Sequence, residues 1–224
     1  MEDNIPTFAV DGAERFPAAI SDDMEDVLAA LGHLPVEQAG VRIHRIEALQ
    51  MFLAADGSIG RIAASRLGVA CRPVRAILFD KTSETNWSLA WHQDRTICVK
   101  RRVDVPGFGP WTMKSGMQHV APPFKILARM VTLRVHLDDV PADNAPLIVA
   151  LGSHTEWRVP ISAYEEVVGR CETYVCLADA GDVWLYATPI LHASEAASTP
   201  LRRRVLQLDY SADDLPGGLE WLGV

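Results

Sequence analysis

The sequence predicts a mainly β domain that carries a layer of helices, an α+β arrangement. In the first third of the chain, apolar residues recur at helical spacing between capping residues. From Pro73 onwards, short runs of β-branched and aromatic residues alternate with turn residues, a pattern typical of a β-sandwich or barrel. A chain of 224 residues is long enough for one such domain. We therefore expect a single domain over residues 1–224, with helical support over 1–72 and a β core over 73–211.

Capping and turn residues set the bounds of the expected helices. Ser21, followed by acidic residues, is a suitable N-cap with favourable negative charge in the first helical turn. Gly32 would end that helix, and Asp56-Gly57 would form the turn between the next two. The expected helices are Met24–Leu31, Glu47–Ala55, Ser58–Leu67 and, after Pro160, Ser162–Val168.

Eight segments have the composition and length of β-strands. Each is rich in β-branched or aromatic residues and is bounded by glycine, proline, asparagine, aspartate or serine. The expected strands are Val74–Phe79, Ser88–Trp91, Ile97–Lys100, Met130–Leu137, Leu147–Leu151, Thr173–Leu177, Asp182–Tyr186 and Arg203–Tyr210.

Residues 104–123 separate the third and fourth expected strands and show no clear periodicity. The segment contains three glycines and four prolines. At roughly 20 residues it exceeds the usual connection between elements, and such long loops are often lids or binding loops. We therefore expect a lid loop here.

Composition and charge exclude several classes of protein. The net charge of −8 argues against a nucleic-acid partner, and the one dense basic run, Arg202-Arg203-Arg204, is too short to reverse that balance. No apolar run approaches the ~20 residues of a membrane-spanning helix, and the acidic start differs from a signal peptide. Four cysteines without a Cys-x-x-Cys pair are expected to be reduced thiols. We expect a cytoplasmic protein that binds a small molecule.

The triplet His92-Gln93-Asp94, with His192 near the end of the chain, is a candidate metal site. Two imidazoles and one carboxylate form the facial set that holds iron in non-haem Fe(II) oxygenases. Positions i and i+2 of a strand point the same way, so His92 and Asp94 could bind one ion. His192 follows a late strand that a sandwich or barrel could fold back towards them. Short motifs match by chance, however, and the alternative is an ordinary histidine beside a solvated aspartate.

Arg203, eleven residues after His192, is a candidate anion ligand. A planar guanidinium suits the far carboxylate of a dicarboxylic cosubstrate such as 2-oxoglutarate. Ser194 adds a hydroxyl on the same approach. Alternation along the strand turns Arg202 and Arg204 to the opposite face, where we expect them at a solvated edge that discourages sheet pairing.

Several motifs follow one another between Val74 and Tyr210. They are Ile77-Leu78-Phe79-Asp80-Lys81, Trp91-His92-Gln93-Asp94, Leu133-Arg134-Val135-His136-Leu137-Asp138-Asp139, Asn144-Ala145-Pro146-Leu147, Gly152-Ser153-His154, Gly181-Asp182-Val183, Leu191-His192-Ala193-Ser194 and Arg203-Arg204-Val205-Leu206. In this order they resemble the phytanoyl-CoA dioxygenase-like family of Fe(II)- and 2-oxoglutarate-dependent oxygenases. Two positions depart from the family pattern, with Ala145 in place of a glycine and Leu151 in place of a proline.

The resemblance implies a fold, a set of cofactors and a role for each motif residue. The fold would be a double-stranded β-helix, the cupin-like jelly roll, buttressed by N-terminal helices. His92, Asp94 and His192 would bind Fe(II). Arg203, helped by Ser194, would hold 2-oxoglutarate, and O₂ would be the oxidant. In the family, the position of Arg134 borders the cosubstrate, so Arg134 is a further candidate.

Other candidate residues depend on local pattern. Trp91 adjoins the metal motif, and three rings lie on the expected loop, so we expect contact with substrate from Trp91, Phe108, Trp111 and His119. The alternative is that these rings only pin the loop to the barrel. His136 shares a strand face with Arg134 and is expected to be a hydrogen-bonded barrel histidine. His154 is expected to be structural, and Lys81 to be a surface lysine.

Taken together, the sequence favours a non-haem Fe(II)- and 2-oxoglutarate-dependent dioxygenase that hydroxylates a small metabolite and releases succinate and CO₂. The same ligand set is compatible with desaturation, epoxidation or cyclisation. A non-catalytic β-barrel that binds a metal or ligand, and a metal enzyme without 2-oxoglutarate, are the alternatives. Arg203 and Ser194 argue against both alternatives, because neither needs a dicarboxylate clamp.

Overall fold

The computed structural model describes residues 5–35 and 38–224 of the chain. Its strands are β1 Ala13–Phe16, β2 Gly40–Ile43, β3 Arg72–Lys81, β4 Leu89–His92, β5 Ile97–Val99, β6 Trp111–Lys114, β7 Met117–Val120, β8 Val131–His136, β9 Leu147–Ala150, β10 Thr173–Cys176, β11 Val183–Ala187, β12 His192–Ser194 and β13 Arg203–Ser211. Its α-helices are α1 Phe8–Asp11, α2 Met24–Leu31, α3 Gln50–Leu53, α4 Gly60–Leu67, α5 Phe124–Leu127 and α6 Tyr164–Val168. Mainly β structure with fewer helices is the predicted class.

The strands form three antiparallel sheets. The six-stranded sheet has the order β1-β11-β8-β13-β3-β2, and the four-stranded sheet has the order β10-β9-β12-β4. A smaller sheet has the order β5-β7-β6. The candidate metal site requires a late strand to fold back beside an early one. This arrangement is present, because β12 lies directly beside β4.

The two faces of the six-stranded sheet have different environments because side chains alternate along each strand. On β8, Leu133 and Val135 pack into a core that also contains helical residues such as Leu53 and Ile62. Arg134 and His136 point to the other face, as the pattern of this strand predicts. That inner face meets the four-stranded sheet, and Leu147, Val149, Trp184 and Tyr186 are among the residues that fill the contact.

The predicted helices occur, but three of them are shorter than expected, and the last of the three begins at Tyr164 instead of Ser162. The helix Met24–Leu31 has the predicted bounds. Residues Glu47–Leu49 form a 3₁₀ turn before α3, and the next helix begins at Gly60 instead of Ser58. The chain folds back tightly between these helices, since a Cβ atom at Gly60 would lie 1.9 Å from the carbonyl oxygen of Ala54. The backbone at Gly60 thus lies close to the backbone at Ala54, and α4 begins at Gly60.

The first third of the chain also contributes two strands that were not predicted. β1 and β2 lie at opposite edges of the six-stranded sheet, paired with β11 and β3. Their sequences, AERF and GVRI, are too short and too mixed to show a two-residue period. Residues 1–72 therefore contribute two edge strands in addition to the expected helices.

The expectation of a loop over residues 104–123 is wrong in its second half. β6 and β7 form a hairpin that pairs with β5, and the turn between them is Ser115-Gly116. Both turn residues have positive φ, 49° and 74°, as tight hairpin turns require. Polar residues on both strands hid the pattern, and the glycines and prolines lie mainly before and after the hairpin.

None of the helices in the described residues is long and apolar enough to cross a membrane.

Asp182, at the start of β11, ties the N-terminal segment to the six-stranded sheet. Its carboxylate accepts hydrogen bonds from Arg15 Nε at 2.8 Å and from the backbone N–H groups of Ala18 at 2.8 Å and Asp179 at 2.9 Å. The Asp182 side chain is only 3% exposed. A carboxylate in this position therefore satisfies three donors that would otherwise lose a partner.

We expect Asp182→Ala to lower the free energy of unfolding by about 3 kcal/mol, because removing one partner of a buried pair is strongly destabilising. Urea denaturation would measure the change. The control is Asp179→Ala, since Asp179 also contacts Arg15 but is 84% exposed. That substitution should cost less than about 1 kcal/mol. Equal losses for the two variants would contradict the assigned role of Asp182.

Candidate functional site

A cavity opens between the inner face of the six-stranded sheet and the four-stranded sheet. It encloses about 740 Å³ outside the protein atoms, open mouth included. Its apolar walls include Ile77, Phe79, Leu89 and Leu147. All three predicted metal ligands and all three predicted cosubstrate ligands line it, namely His92, Asp94, His192, Arg134, Ser194 and Arg203.

The two histidines are brought together by strand pairing. His92 ends β4 and His192 begins β12, and the two residues are direct cross-strand partners. Their ring centroids are 4.1 Å apart. The register shifts between His192 and Ser194, which marks a bulge at this point of the strand pair. Two imidazoles nearly 100 positions apart in the sequence therefore share one wall of the cavity.

Both imidazoles are held in one orientation by the backbone two residues earlier. His92 Nδ1 lies 2.9 Å from the carbonyl oxygen of Ala90, and His192 Nδ1 lies 3.0 Å from that of Ile190. A carbonyl oxygen only accepts, so each Nδ1 is the donor in its contact and each Nε2 is left for another partner. Burial, with the neighbouring His92, lowers the pKa of His192 to about 4. Neutral imidazoles with a free Nε2 are suitable metal ligands.

Gln93 fixes the chain between the two candidate ligands. Its side-chain amide donates to the carbonyl oxygens of Trp157 at 3.0 Å and Pro189 at 2.9 Å. The same amide accepts from the backbone N–H of Val159 at 3.1 Å. Because Gln93 is anchored away from the cavity, its neighbours in sequence are directed into it.

Asp94 lies at the end of a buried chain of polar contacts. Its Oδ2 is 3.2 Å from Arg75 Nη2, and Arg75 Nε is 2.6 Å from Asp209 Oδ2. Asp209 Oδ1 accepts from Thr132 Oγ1 at 3.0 Å, and Thr132 contacts Thr188. Burial disfavours the charged form of Asp94, but the Arg75 guanidinium, with smaller effects from the two histidines, lowers the pKa of Asp94 below its usual value. Asp94 is thus held as a carboxylate.

The three candidate ligands are close but are not already converged. Within residues 5–35 and 38–224, no three side chains of histidine, cysteine, aspartate or glutamate are grouped tightly enough to hold an ion as they stand. The Asp94 carboxylate contacts Arg75 through Oδ2, which leaves Oδ1 as its other oxygen. The donor types nevertheless suit a divalent cation, because two imidazoles and a carboxylate line the same cavity.

Three cations lie deep in the same cavity. Arg203 and Arg134 are 2% and 7% exposed, and Lys81 is 5% exposed. Arg203 and Lys81 are cross-strand partners on β13 and β3. Arg134 donates to Gln207 Oε1 at 3.1 Å and Arg203 donates to the carbonyl oxygen of Ala145 at 2.6 Å. In the described residues none of the three forms a salt bridge, and the Nε atoms of both arginines have no hydrogen-bond partner.

The position of Lys81 corrects an expectation. A surface lysine was expected, but Lys81 is buried on the inner face of β3 in phase with Ile77 and Phe79. Its Nζ donates to the carbonyl oxygen of Trp87 at 2.7 Å and lies 4.3 Å from the centre of the Trp87 ring. Burial, with Arg203 and Arg134 nearby, lowers the pKa of Lys81 to about 8.

Arg203 and Ser194 both contact the backbone of Ala145. Ser194 Oγ donates to the carbonyl oxygen of Ala145 at 3.2 Å, so both predicted clamp residues contact the same carbonyl group. Ala145 has φ of 54°, a left-handed conformation that favours glycine. The departure from glycine at this position therefore adds backbone strain without removing the carbonyl contact.

Arg202 and Arg204 point away from the cavity, as alternation predicts. Arg202 pairs with Asp80 at 2.8 Å and Arg204 contacts Asp138 at 2.6 Å on the outer face. The expected solvated edge is wrong, because β13 lies inside the sheet between β8 and β3. The expectation for His136 is wrong as well, since neither ring nitrogen has a hydrogen-bond partner among the described residues.

The four rings expected to contact substrate lie outside the cavity lining. Trp91 points to the opposite face of β4 from His92 and packs beside Leu191 and Val167. Phe108 and Trp111 pack into the core under the small sheet, and Arg102 lies 5.5 Å from the Trp111 ring centre. His119 is buried behind the cavity wall with Nδ1 facing the carbonyl oxygen of Met117. Of these rings, Trp111 and His119 lie on the hairpin that replaces the second half of the expected loop.

Four polar lining residues have no counterpart among the predicted site residues. They are Arg42, Arg75, Lys114 and Gln207. A two-residue period on β3 and β13 places Arg75 in phase with Lys81, and Gln207 in phase with Arg203. That signal was available for Arg75 and Gln207. Arg42 and Lys114 lie on strands that the sequence did not reveal.

The sequence and the fold of the chain both match those of known proteins. Residues 18–205 match a sequence model of the family described as phytanoyl-CoA dioxygenase (PhyH). No curated protein sequence matches the chain at a significant level. The fold is similar to that of apo EctD from S. alaskensis, with a TM-score of 0.65 and 18% identity, covering 100% of this chain and 83% of that chain.

Two further solved structures share the fold. The non-heme alpha ketoglutarate dependent epimerase SnoN from nogalamycin biosynthesis has a TM-score of 0.62 and 16% identity, covering 94% of this chain and 87% of that chain. HygX from Streptomyces hygroscopicus, solved with nickel and 2-oxoglutarate bound, has a TM-score of 0.60 and 15% identity, covering 91% and 84%. At these identities the similarities concern the fold, and they confirm the predicted jelly roll.

Proposed function

Because the chain belongs to the phytanoyl-CoA dioxygenase family, a family of Fe(II)- and 2-oxoglutarate-dependent oxygenases, we propose that it hydroxylates a small organic molecule. The observation that supports this most directly is the pairing of two features in one cavity. Two imidazoles and a carboxylate lie on one wall, and buried cations without carboxylate partners lie on the other. The first feature suits a divalent metal and the second suits a dicarboxylate.

The metal ligands in this proposal are His92, Asp94 and His192. The backbone contacts at Nδ1 direct both Nε2 atoms to a ligand. Asp94 keeps one oxygen on Arg75 and offers the other, and Arg75 is held in turn by Asp209. Partners of this kind orient metal ligands and raise metal affinity. Arg75 and Asp209 therefore act as positioning residues.

The proposed ligands of 2-oxoglutarate are Arg203, Arg134, Lys81 and Ser194. An uncompensated buried cation is unfavourable, so an anion that binds beside these groups relieves a cost already present in the fold. The guanidinium of Arg203 can take one carboxylate in a two-point contact, with the Ser194 hydroxyl beside it. Phe79 and Trp87 cover the cations and exclude water, which strengthens the attraction.

When bound, iron and 2-oxoglutarate would supply the oxidising chemistry with O₂ as the oxidant, so that 2-oxoglutarate is converted to succinate and CO₂ and the substrate is oxidised. The residues of this chain hold the two reactants next to each other and shield them with apolar side chains. No side chain in this proposal needs to act as a general acid or base. Substrate would enter from the open mouth, on the side of Asp94.

An anaerobic titration would test the proposal. Fe(II) and 2-oxoglutarate together should produce a visible charge-transfer absorption band that neither produces alone, and His92→Ala should abolish it. In air, a metabolite panel should show conversion of 2-oxoglutarate to succinate, and product mass then separates hydroxylation, a gain of oxygen, from desaturation, a loss of hydrogen. Absence of the band, with iron content unaffected by His92→Ala, would contradict the proposal.

The low pKa of Lys81 predicts a pH-dependent affinity for 2-oxoglutarate. Lys81 is charged below about pH 8 and loses its proton above it. We expect the affinity to fall by up to about tenfold between pH 8 and pH 9, because the neutral amine no longer attracts the carboxylate. Calorimetry at several pH values would measure it, and Lys81→Met should flatten the profile. An equally steep profile in Lys81→Met would assign the pH effect to another group.

Without ligand, the free energy of unfolding should rise with pH above about pH 8, whereas the affinity for 2-oxoglutarate falls. The ordinary lysine pKa of 10.5 applies in the unfolded chain, so that state binds more protons than the folded state between about pH 8 and 10.5. Stability therefore rises with pH in this window. Urea denaturation of the wild type and of Lys81→Met would separate this trend from other titrations.

A further inference from the structure

Two cations at the mouth of the cavity are not used by the proposed reaction. Arg42 lies on β2, opposite Ile77 of β3, and the side chains of both residues line the cavity. Arg42 Nη1 reaches the hairpin turn, where it lies 3.4 Å from Ser115 Oγ. Lys114, at the end of β6, is exposed and lines the same part of the cavity. The two cations come from different sheets and meet at the opening.

The charge around the cavity is far from balanced. Among the described residues, Asp94 is the only carboxylate in the lining, whereas the cations there are Arg42, Arg75, Lys81, Lys114, Arg134 and Arg203. The whole chain carries a net charge of −8, so this concentration is not a general property of its surface. Arg75 is matched by Asp94 and Asp209. The proposed function assigns the three buried cations to 2-oxoglutarate.

Arg42 and Lys114 are the two lining cations that have neither a carboxylate partner nor a role in binding 2-oxoglutarate. Neither forms a salt bridge with any residue that the structure describes. Arg42 Nε is buried and has no hydrogen-bond partner there. The guanidinium of Arg42 thus has a long contact with Ser115 Oγ at 3.4 Å, and its Nε donor is unused. A donor left in this state is typical of a position that binds a ligand group.

The mouth cations are separate from the group that would hold 2-oxoglutarate. Arg134, Gln207, Ile77 and Arg42 form one cross-strand row over four adjacent strands. The backbone positions of Arg134 and Arg42 are thus about 14 Å apart at the usual strand spacing. Arg134 contacts Gln207 and Arg42 contacts Ser115 of the hairpin turn, so the two side chains have different partners. An anion bound by Arg42 and Lys114 would therefore be a second anionic group, in addition to 2-oxoglutarate.

We infer that the substrate carries an anionic group, a carboxylate or a phosphate ester, that is bound by Arg42 and Lys114 at the mouth. The inference rests on the proposed function, since it takes the buried cations to be occupied by 2-oxoglutarate. Arg42 offers the planar two-point contact and Lys114 a point charge from the opposite wall. The rest of the substrate then lies towards Asp94 and the two histidines, where oxidation would take place.

Calorimetry with probes of matched shape tests this inference. Wild-type protein is loaded with Ni(II) and N-oxalylglycine, an unreactive analogue of 2-oxoglutarate, and titrated with phenylacetate, phenyl phosphate and neutral phenylacetamide. We expect at least one anion to bind more tightly than the amide, and the tighter anion identifies carboxylate or phosphate. The double variant Arg42→Gln/Lys114→Gln should weaken anion binding tenfold or more and leave phenylacetamide and N-oxalylglycine unchanged.

The control variant is Arg61→Gln, which removes an exposed cation of helix α4 far from the cavity and should change none of these affinities. Circular dichroism and melting temperature confirm that each variant is folded. Anions that bind no better than phenylacetamide, or equally well to the double variant, would overturn the inference. Failure of N-oxalylglycine to bind the wild type would instead count against the proposed function, so the two failures are distinguishable.

Discussion

His192→Ala is expected to lower the affinity of the protein for a divalent metal by at least about 100-fold, since loss of an outer partner alone often costs 10–100-fold. His192 is buried beside His92, and its Nδ1 contact with Ile190 leaves Nε2 as the coordinating atom. Alanine removes that atom and leaves one imidazole and Asp94. Competition with a chromogenic chelator under anaerobic conditions would measure the change for Fe(II) and, as an air-stable substitute, Co(II).

The matched control is His33→Ala. His33 is exposed and does not line the cavity, so this variant makes the same histidine-to-alanine change away from the site. That variant should bind metal as the wild type does. His92→Ala should behave like His192→Ala, and the double variant should lose little more, because the two imidazoles act on the same ion. Unchanged metal affinity in His192→Ala, with the fold intact, would remove the two-histidine site from the proposal.

Arg203→Leu is expected to raise the Kd for 2-oxoglutarate by about 100-fold or more, because loss of one partner of a buried charged pair costs 2–5 kcal/mol. The same substitution should stabilise the protein in the absence of 2-oxoglutarate. Arg203 is 2% exposed, lacks a salt bridge among the described residues and has an unpartnered Nε. Replacing a buried charge of this kind with a leucine of comparable packing removes a desolvation cost. Binding and stability should therefore change in opposite directions.

The neighbours of Arg203 supply two internal controls. Arg202→Leu and Arg204→Leu remove outer-face cations that pair with Asp80 and Asp138. Each should lower stability, because Asp80 or Asp138 then loses its partner, and each should leave 2-oxoglutarate binding unchanged. Isothermal calorimetry measures 2-oxoglutarate binding and urea denaturation measures stability. A loss of 2-oxoglutarate affinity in Arg202→Leu instead of Arg203→Leu would move the clamp by one residue.

The sequence predicts the inward face of the central strands well. On β8 and β13, apolar and polar residues alternate for at least six positions, so the phase of each strand is unambiguous and places Arg134 and Arg203 on one face. The triplet His92-Gln93-Asp94 and the later His192 reach the same cavity because β4 pairs with β12. The helix over Met24–Leu31 is similarly clear, because its cap, apolar period and terminating Gly32 agree.

The strands and site residues that the sequence did not predict depend on contacts between distant segments, which a local sequence pattern does not contain. β2 and β6 are four residues long, and their strand character comes from pairing with β3 and β7. Arg42 and Lys114, which lie on them, therefore could not be placed at the mouth. The rings of Trp91, Phe108, Trp111 and His119 are apolar enough for either a core or a binding surface. Packing against other segments decides between these roles, and it assigns them to the core.

The pairing of His92 with His192 also determines which part of the molecule opens first. β4 is an edge strand that is attached to its sheet only through the short strand β12. Without metal, the amide protons of Leu89–His92 should exchange with solvent through local opening of this edge, at far lower free energy than global unfolding. An ion bound to both imidazoles joins the two strands, and each opening event must then release it. Metal occupancy thus governs the local lifetime of the strand pair that creates the site.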